Sequence, residues 1–241
     1  MTYLQFHAVF IVPPLLVLAW LSWGRTGRRA SWSLVAVALL ALVWTTPWDN
    51  YLVWRGVWDY SPGRVMGTIG YVPVEEYLFF VLQPLLTGLF LLRWMDGARV
   101  DPSPLPSSVR WTGTAIYGMM AVAGFLLLRS ERGTYMGLIL AWAMPVLAGQ
   151  WAYAADALWR RRRALIAVTA LSTVYLWIAD AVAIKLGIWR IAERFTLGIG
   201  IGWLPIEEMT FFLVTNILVV QGLVLFLVPP GVDGRTMEAA R

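Results

Sequence analysis

Seven apolar segments occupy most of this chain of 241 residues, of which only 14% are charged. A helix of about 20 apolar residues crosses the bilayer core of about 30 Å, whereas a lone strand leaves its backbone polar groups unsatisfied in lipid. The sequence therefore predicts an all-α integral membrane protein with seven transmembrane helices. Their expected positions are about 3–23, 31–48, 72–94, 111–128, 134–157, 164–184 and 203–228.

The basic residues predict how the chain is oriented. Twelve arginines fall on one side of the predicted spans and seven basic residues on the other, which indicates N-out/C-in in a multi-pass protein of the cell membrane. The positions of these arginines, in short loops, indicate contact with anionic membrane lipid, and we expect no nucleic-acid partner. We interpret the N-terminus as a retained first helix. The chain has no cysteine and a single histidine, His7, which we expect at the membrane interface.

A short acidic motif occurs twice. PVEEYLFF covers 73–80 and PIEEMTFF covers 205–212, each at the start of an apolar span. Asp49 and Asp180 also match, at an offset of 131 residues, and the motifs match at an offset of 132. We therefore predict two three-helix repeats, with boundaries at 1–95 for the first repeat, 96–133 for a linker with a joining helix, 134–228 for the second repeat and 229–241 for a polar C-terminal tail.

The joining helix determines how the two repeats are related. One extra crossing makes the third and seventh spans run in the same direction, so the repeats are expected to be parallel, about a pseudo-twofold axis along the membrane normal. Both glutamate pairs then lie at one depth, on the non-cytoplasmic side. The Pro- and Ser-rich stretch at 101–108 is the clearest linker.

Glu75, Glu76, Glu207 and Glu208 are the candidate catalytic residues. Each pair alone also fits a helix N-terminus at the interface, where the helix dipole favours acidic side chains. Four carboxyl groups meeting in an apolar interior cannot all ionise, which leaves a neutral acid beside an ionised base. This arrangement suits general acid–base chemistry. It also suits a proton path in a transporter, which stays open as an alternative.

Asp49 and Asp180 are weaker candidates. We expect them at the ends of the second span of each repeat, in helix-end or turn roles or as orienting partners of the glutamates. Most of the 15 tryptophans are expected at the membrane interface or in packing, and a few could line a cavity and stabilise a cation. No dinucleotide-binding turn or P-loop follows a strand, so we expect no cofactor and no metal.

Two three-helix units, each with a P-x-E-E-x-x-F-F signature and an upstream aspartate, resemble the fused form of the heterodimeric-type lycopene β-cyclases and the cyclase half of fungal bifunctional carotenoid enzymes. The resemblance covers nearly the whole chain. It implies redox-neutral cyclisation of the ψ-ends of lycopene to β-rings, giving γ- and then β-carotene. It assigns function to the four glutamates and more weakly to Asp49 and Asp180. The implied partners are lycopene and γ-carotene from the bilayer, with carotenoid-pathway enzymes as candidates.

The resemblance leaves the detailed substrate open. A cyclase for a longer carotenoid, or for a different ring type, is the nearer alternative. We expect one cleft between spans 3 and 7 to serve both ends of lycopene in turn, because both glutamate pairs lie at one depth. We also expect unequal halves, since Gln83 corresponds to Thr215 and Asp59 to Arg190.

Overall fold

A computed structural model describes residues 1–95 and 105–228 of the chain. Within these ranges it is built around seven long helices. These are α1 (Tyr3–Ser22), α2 (Arg28–Arg55), α3 (Val74–Met95), α4 (Ser107–Leu127), α5 (Thr134–Arg160), α6 (Arg162–Lys185) and α7 (Ile206–Leu227). The start of the predicted linker, 96–104, and the predicted tail, 229–241, lie outside the described residues.

Short antiparallel strands connect the helices at one end of the bundle. They are β1 (Trp58–Tyr60), β2 (Thr68–Ile69), β3 (Val72–Pro73), β4 (Trp189–Ile191), β5 (Gly200–Ile201) and β6 (Leu204–Pro205), with a 3₁₀ turn at Glu193–Phe195. β2 pairs with β3 and β5 with β6, each as a hairpin. β1, from the first half of the chain, pairs with β4, from the second half. In that central pair Asp59 lies opposite Arg190 and forms an ion pair with it.

Six of the seven helices are long and apolar enough to cross a membrane, namely α1, α2, α3, α5, α6 and α7. Large apolar side chains such as Leu16, Val43 and Ile166 are more than 60% exposed on their outer faces. Such surfaces are unsuited to water over several helices but match a lipid environment. The predicted all-α membrane class is therefore supported, and α4 is the helix that does not meet the apolar criterion.

The helix ends differ from the sequence expectation mainly in α2. This helix continues to Arg55, seven residues beyond the predicted end of the span, and it keeps Pro47 inside it. Asp49 therefore lies within the helix and is fully buried, not at a helix end or in a turn. Asp180 likewise lies inside α6. A hydropathy pattern ends a span at polar residues, although the backbone stays helical where those residues face the protein interior.

Each glutamate-bearing helix begins directly after a hairpin. Gly70 and Gly202 open the two-residue turns of these hairpins with φ angles of 65° and 60°. A positive φ at the first turn position suits the tight hairpin turns that match strand twist, and glycine adopts it without steric cost. The hairpins thus end at Pro73 and Pro205 and fix where α3 and α7 start.

Helices α3 and α7 pack against each other in the centre of the bundle. The rings of Phe79 and Phe212 meet edge to face with centroids 6.1 Å apart. One turn further along, Gln83 Nε2 donates to Asn216 Oδ1 at 2.8 Å, and the Thr87 hydroxyl donates to the same oxygen. Interhelical hydrogen bonds between buried side chains contribute to helix association in lipid. This contact brings the first turns of both helices together.

Candidate active site

Glu76 and Glu208 lie in the first turns of α3 and α7 and line the same small cavity. Each accepts a short hydrogen bond from a buried tyrosine. The Tyr3 hydroxyl donates to Glu76 Oε2 at 2.6 Å, and the Tyr135 hydroxyl donates to Glu208 Oε1 at 2.5 Å. Each of these bonds engages one oxygen of its glutamate, and both side chains line the cavity, where a bound molecule can meet them.

Glu76 has a second donor that comes from the strand β1. The Tyr60 hydroxyl donates to Glu76 Oε2 at 3.1 Å, on the oxygen that Tyr3 also contacts. Burial raises the pKa of the Tyr60 phenol well above its usual value, and the negative charge of Glu76 raises this pKa further. Tyr60 therefore keeps its proton at physiological pH and acts as a hydrogen-bond donor.

The outer glutamates, Glu75 and Glu207, hold the chain that precedes each helix. Glu75 Oε1 accepts from the backbone N–H of Met66 at 2.9 Å, and Glu207 Oε1 accepts from that of Leu197 at 2.7 Å. Both side chains are fully buried, and neither lines the small cavity. The structure thus separates each glutamate pair, because adjacent helical residues point about 100° apart.

His7 lies in the same region and is buried inside the protein. It is 1% exposed and its Nε2 lies 2.9 Å from the backbone carbonyl oxygen of Glu75. It begins a π-helical turn, His7–Ile11, inside α1. Such turns insert one residue into a helix and occur often at functional sites.

Asp49 and Asp180 lie in electrostatic range of both Glu76 and Glu208. Asp180 lines the small cavity, and its Oδ1 accepts from Trp189 Nε1 at 2.9 Å. Neither oxygen of Asp49 has a hydrogen-bond partner among the described residues. No group of three or more His, Asp or Glu side chains in 1–95 and 105–228 is arranged to hold a metal ion.

Aromatic rings form most of the remaining wall of the small cavity, which has a volume of about 30 Å³. These rings belong to Phe6, Trp58, Phe79, Trp189, Phe211 and Phe212. Trp58 packs against Tyr135 at 5.6 Å and Trp189 against Tyr3 at 4.9 Å between ring centroids. Each tryptophan therefore reaches from its own half of the chain to the tyrosine of the other half. Aromatic faces of this kind stabilise positive charge in a desolvated site.

A long apolar groove of about 550 Å³ starts at the small cavity. Phe79 and Phe211 line both spaces and separate them. The groove runs between α2, α3, α5 and α7, and its further lining includes Leu40, Trp44, Phe80, Trp142, Val146, Leu218, Gly222 and Phe226. Leu40, Trp44 and Phe226 are each more than 40% exposed, so the groove opens sideways toward lipid.

The arrangement brings together some of the predicted site residues and adds others. Glu76, Glu208 and Asp180 share the cavity, whereas Glu75 and Glu207 contact loops and Asp49 is not among the lining residues. Sequence reasoning missed the three tyrosines. A signal for two of them was present, because Tyr3 and Tyr135 are 132 residues apart, close to the repeat offset. The π turn in α1 accounts for the shift to 131 that follows.

The fold and site define an α-helical membrane protein with a carboxyl pair buried beside a lipid-facing apolar groove. A family model described as lycopene cyclase matches residues 1–94 and 132–226, which is more than half of the chain. The chain belongs to the lycopene cyclase family.

Curated relatives agree with this family. The chain is 44% identical over 232 residues to a lycopene beta-cyclase of Halobacterium salinarum, and the match covers 93% of this chain and 95% of that protein. It is 38% identical over 202 residues to a bifunctional lycopene cyclase/phytoene synthase of Aspergillus niger, covering 79% of this chain and 34% of that protein. A protein of the same description from Blakeslea trispora is 32% identical over 233 residues, covering 91% of this chain and 38% of that protein. No solved structure matches the chain significantly.

Proposed function

We propose that this chain is a lycopene β-cyclase that closes the ψ-ends of lycopene into β-rings in carotenoid biosynthesis. The observation that carries the proposal is the shared cavity of Glu76 and Glu208 at the head of a lipid-open apolar groove. A hydrocarbon substrate dissolved in the bilayer requires such a sideways opening, and an acid–base pair suits a reaction that is a net isomerisation. The enzyme is an intramolecular lyase.

The chemistry needs one proton donor and one proton acceptor. A protonated glutamate adds a proton to the terminal double bond of the ψ-end, which leaves a tertiary cation. The next double bond attacks this cation, the ring closes, and an ionised glutamate removes a different proton. No atoms or electrons are gained or lost overall. Phe211, Trp58 and Trp189 would place ring faces beside the cation.

Glu76 and Glu208 are the proposed catalytic residues, because both side chains line the cavity. Glu75 and Glu207 are proposed positioning residues that hold the segments before α3 and α7. Asp180 and Asp49 are buried near Glu76 and Glu208. They are proposed to influence the charge of these two glutamates and to exchange protons with them. All six acidic residues thus have a proposed role, and the three pairs differ in that role.

The groove would hold the polyene while one end group reacts. Between Phe211 and Phe226, α7 rises about 22 Å at 1.5 Å per residue. The two ends of an extended C40 carotenoid lie roughly a membrane thickness apart, about 30 Å. One end group at the glutamates therefore leaves the rest of the chain along the groove, with the far end near Phe226 and the lipid.

We further propose seven transmembrane helices in two parallel repeats, N-out/C-in, in the cell membrane. In support, the β1–β4 ribbon centres on Asp59 and Arg190, which are 131 residues apart, as expected where a twofold axis passes through the ribbon. Helix α4 has 21 residues and a length of about 31 Å. It packs against the spanning helix α5 from Gly124 near the turn to the Arg110–Asp156 ion pair at its other end.

Membrane lipid is the proposed environment of both substrate and enzyme, and neighbouring enzymes of the carotenoid pathway are proposed partners. The lipid-open edge of the groove would receive lycopene directly from the bilayer. The polar tail predicted at 229–241 and the domain limits at 95, 133 and 228 remain part of this proposal. The family match to 1–94 and 132–226 supports the two halves.

The proposed function is tested by expressing the chain in lycopene-accumulating cells and analysing the pigments. We expect γ-carotene and β-carotene, both with the mass of lycopene. Unchanged lycopene at normal membrane expression would contradict the proposal. A product with a different ring double bond, or cyclisation only of a longer carotenoid supplied in parallel, would assign the other ring type or the longer substrate.

The single cleft predicts sequential reaction of the two ends. In single-turnover experiments with purified enzyme in liposomes, γ-carotene should rise and fall before β-carotene reaches its plateau, because the two ends cannot both reach Glu76 and Glu208. Added γ-carotene should be converted without a lag. Simultaneous loss of both ψ-ends would argue against one shared site.

A further inference from the structure

The two halves of the site differ in one phenol donor. Tyr3 and Tyr135 serve Glu76 and Glu208 in the same manner, but Tyr60 has no matching tyrosine. The residue 131 positions later is Ile191, in the strand that pairs with that of Tyr60. Glu76 Oε2 thus accepts from two phenols, and Glu208 Oε1 accepts from one.

We propose that Tyr60 divides the two roles, so that Glu76 is the base and Glu208 is the proton donor in cyclisation. This inference rests on the proposed function and assigns the two glutamates within it. Tyr60 is a positioning residue, because it donates a hydrogen bond to Glu76 and is itself neither the acid nor the base.

Hydrogen bonds from neutral donors favour the ionised form of a carboxyl group, and bonds to a charged acceptor are about twice as strong as neutral ones. Four carboxyl groups lie close together here, and they differ in the donors they receive. Glu76 receives two phenol hydroxyls and Glu208 receives one, while the nearby Trp58 indole N–H makes no hydrogen bond of normal geometry to Glu208. Asp180 receives one indole N–H, and Asp49 receives no donor among the described residues. A single negative charge in this cluster is therefore best stabilised on Glu76.

The titratable groups around Glu76 come from every element packed on it, and none is a cation that would reverse this order. They are Tyr3 and His7 of α1, Asp49 of α2, Tyr60 of β1, Glu75 of α3, Asp180 of α6 and Glu208 of α7. His7 contacts the Glu75 carbonyl and not a carboxylate. Among the described residues, no ion pair involves a carboxyl group of this cluster, so none draws the negative charge away from Glu76.

The assignment gives a balanced proton cycle. Glu208 gives its proton to the terminal double bond and becomes a carboxylate, and Glu76 takes the proton released by the ring and becomes an acid. One proton must then return from Glu76 to Glu208 before the next closure. Asp180 lines the same cavity as both, and the volume of about 30 Å³ is enough for one or two water molecules. The return needs no external proton.

The test uses Tyr60→Phe, Ile191→Tyr and the double variant, assayed in liposomes with lycopene over a range of pH. Tyr60→Phe removes a donor from the base, so Glu76 ionises at higher pH. We expect a roughly tenfold lower kcat in the acid limb and a shift of that limb upward by about one pH unit, with KM unchanged. Ile191→Tyr adds a donor to Glu208, keeps it ionised, and should move the alkaline limb to lower pH.

The double variant moves the extra donor from one glutamate to the other. We expect it to recover activity relative to Ile191→Tyr alone, because the two roles can exchange in a site with this symmetry. Membrane levels and the absorbance change of bound lycopene show whether each variant is folded. A Tyr60→Phe profile that superimposes on the wild-type profile, in an enzyme that does cyclise lycopene, would overturn the inference. Wild-type enzyme without cyclised product would instead overturn the proposed function.

Discussion

Replacing Glu208 by glutamine is expected to lower the rate of lycopene cyclisation by roughly 10²- to 10⁴-fold, the usual contribution of a general acid. The amide keeps the shape and can still meet the Tyr135 hydroxyl, which lies 2.5 Å from Glu208 Oε1 in the native site. It cannot protonate an alkene. The loss should appear in kcat with KM nearly unchanged, because the cavity and groove are retained. Initial rates of γ-carotene formation in liposomes measure it.

The neighbouring Glu207 provides a matched control on the same helix. Glu207→Gln keeps an oxygen to accept from the Leu197 N–H and lies outside the cavity lining, so we expect a loss of about tenfold or less. Glu76→Gln should also be severely impaired, but protonation and ring closure can still begin. Its residual product should contain rings with a displaced double bond, since other acceptors remove the proton. Equal losses at all four glutamates would contradict these separate roles.

Replacing Gly222 by leucine is expected to lower kcat/KM for lycopene by roughly 10- to 100-fold, because the added side chain enters the groove that holds the polyene. A Cβ at this position would contact only Gln150 Nε2, at 3.4 Å, so the helix itself accepts the change. Leucine also has the higher helix propensity. Kinetics with lycopene and with a truncated carotenoid that carries one ψ-end separate blockage from damage to the site. The truncated substrate should react almost normally.

Gly118→Leu is the control for this prediction. Gly118 lies on α4, which contributes no side chain to the groove lining, and a Cβ there would meet nothing within 4 Å. The substitution is chemically the same but lies away from the groove, so activity on lycopene should be retained. If both glycine variants are equally active on lycopene, the polyene does not occupy the groove. If both are equally impaired on the short substrate, the effect is on folding.

The order of apolar and acidic residues along the chain was sufficient to predict the class of protein and the position of its acidic residues. Apolar runs of membrane length predicted seven spans, and six of the corresponding helices satisfy the same criterion in the structure. The repeated motif indicated the turns where Glu76 and Glu208 lie. These predictions succeeded because hydropathy and helix starts are local properties. The end of α2 was missed, since Asp49 reads as polar and therefore terminal, although it faces the interior.

The roles within each glutamate pair required the tertiary structure. Sequence places Glu75 beside Glu76 with equal chemistry, but a loop N–H at Met66 engages one and tyrosines from α1 and β1 engage the other. Tyr3 is 73 residues from Glu76 and Tyr135 is 73 residues from Glu208, so neither contact follows from local spacing. The contact of His7 with the Glu75 carbonyl likewise joins segments 68 residues apart.

Sequence by itself determined the membrane-spanning helices, the doubled Pro-Glu-Glu starts and the family resemblance, because these depend on composition and short-range order. Only the tertiary structure decided which carboxyl groups share a cavity, which tyrosines donate to them, and that an apolar groove begins at Phe79 and Phe211. These features depend on how distant segments pack. The single donor from Tyr60, with Ile191 in the corresponding place, is the clearest example, since packing alone turns that small sequence difference into an inequality between two glutamates.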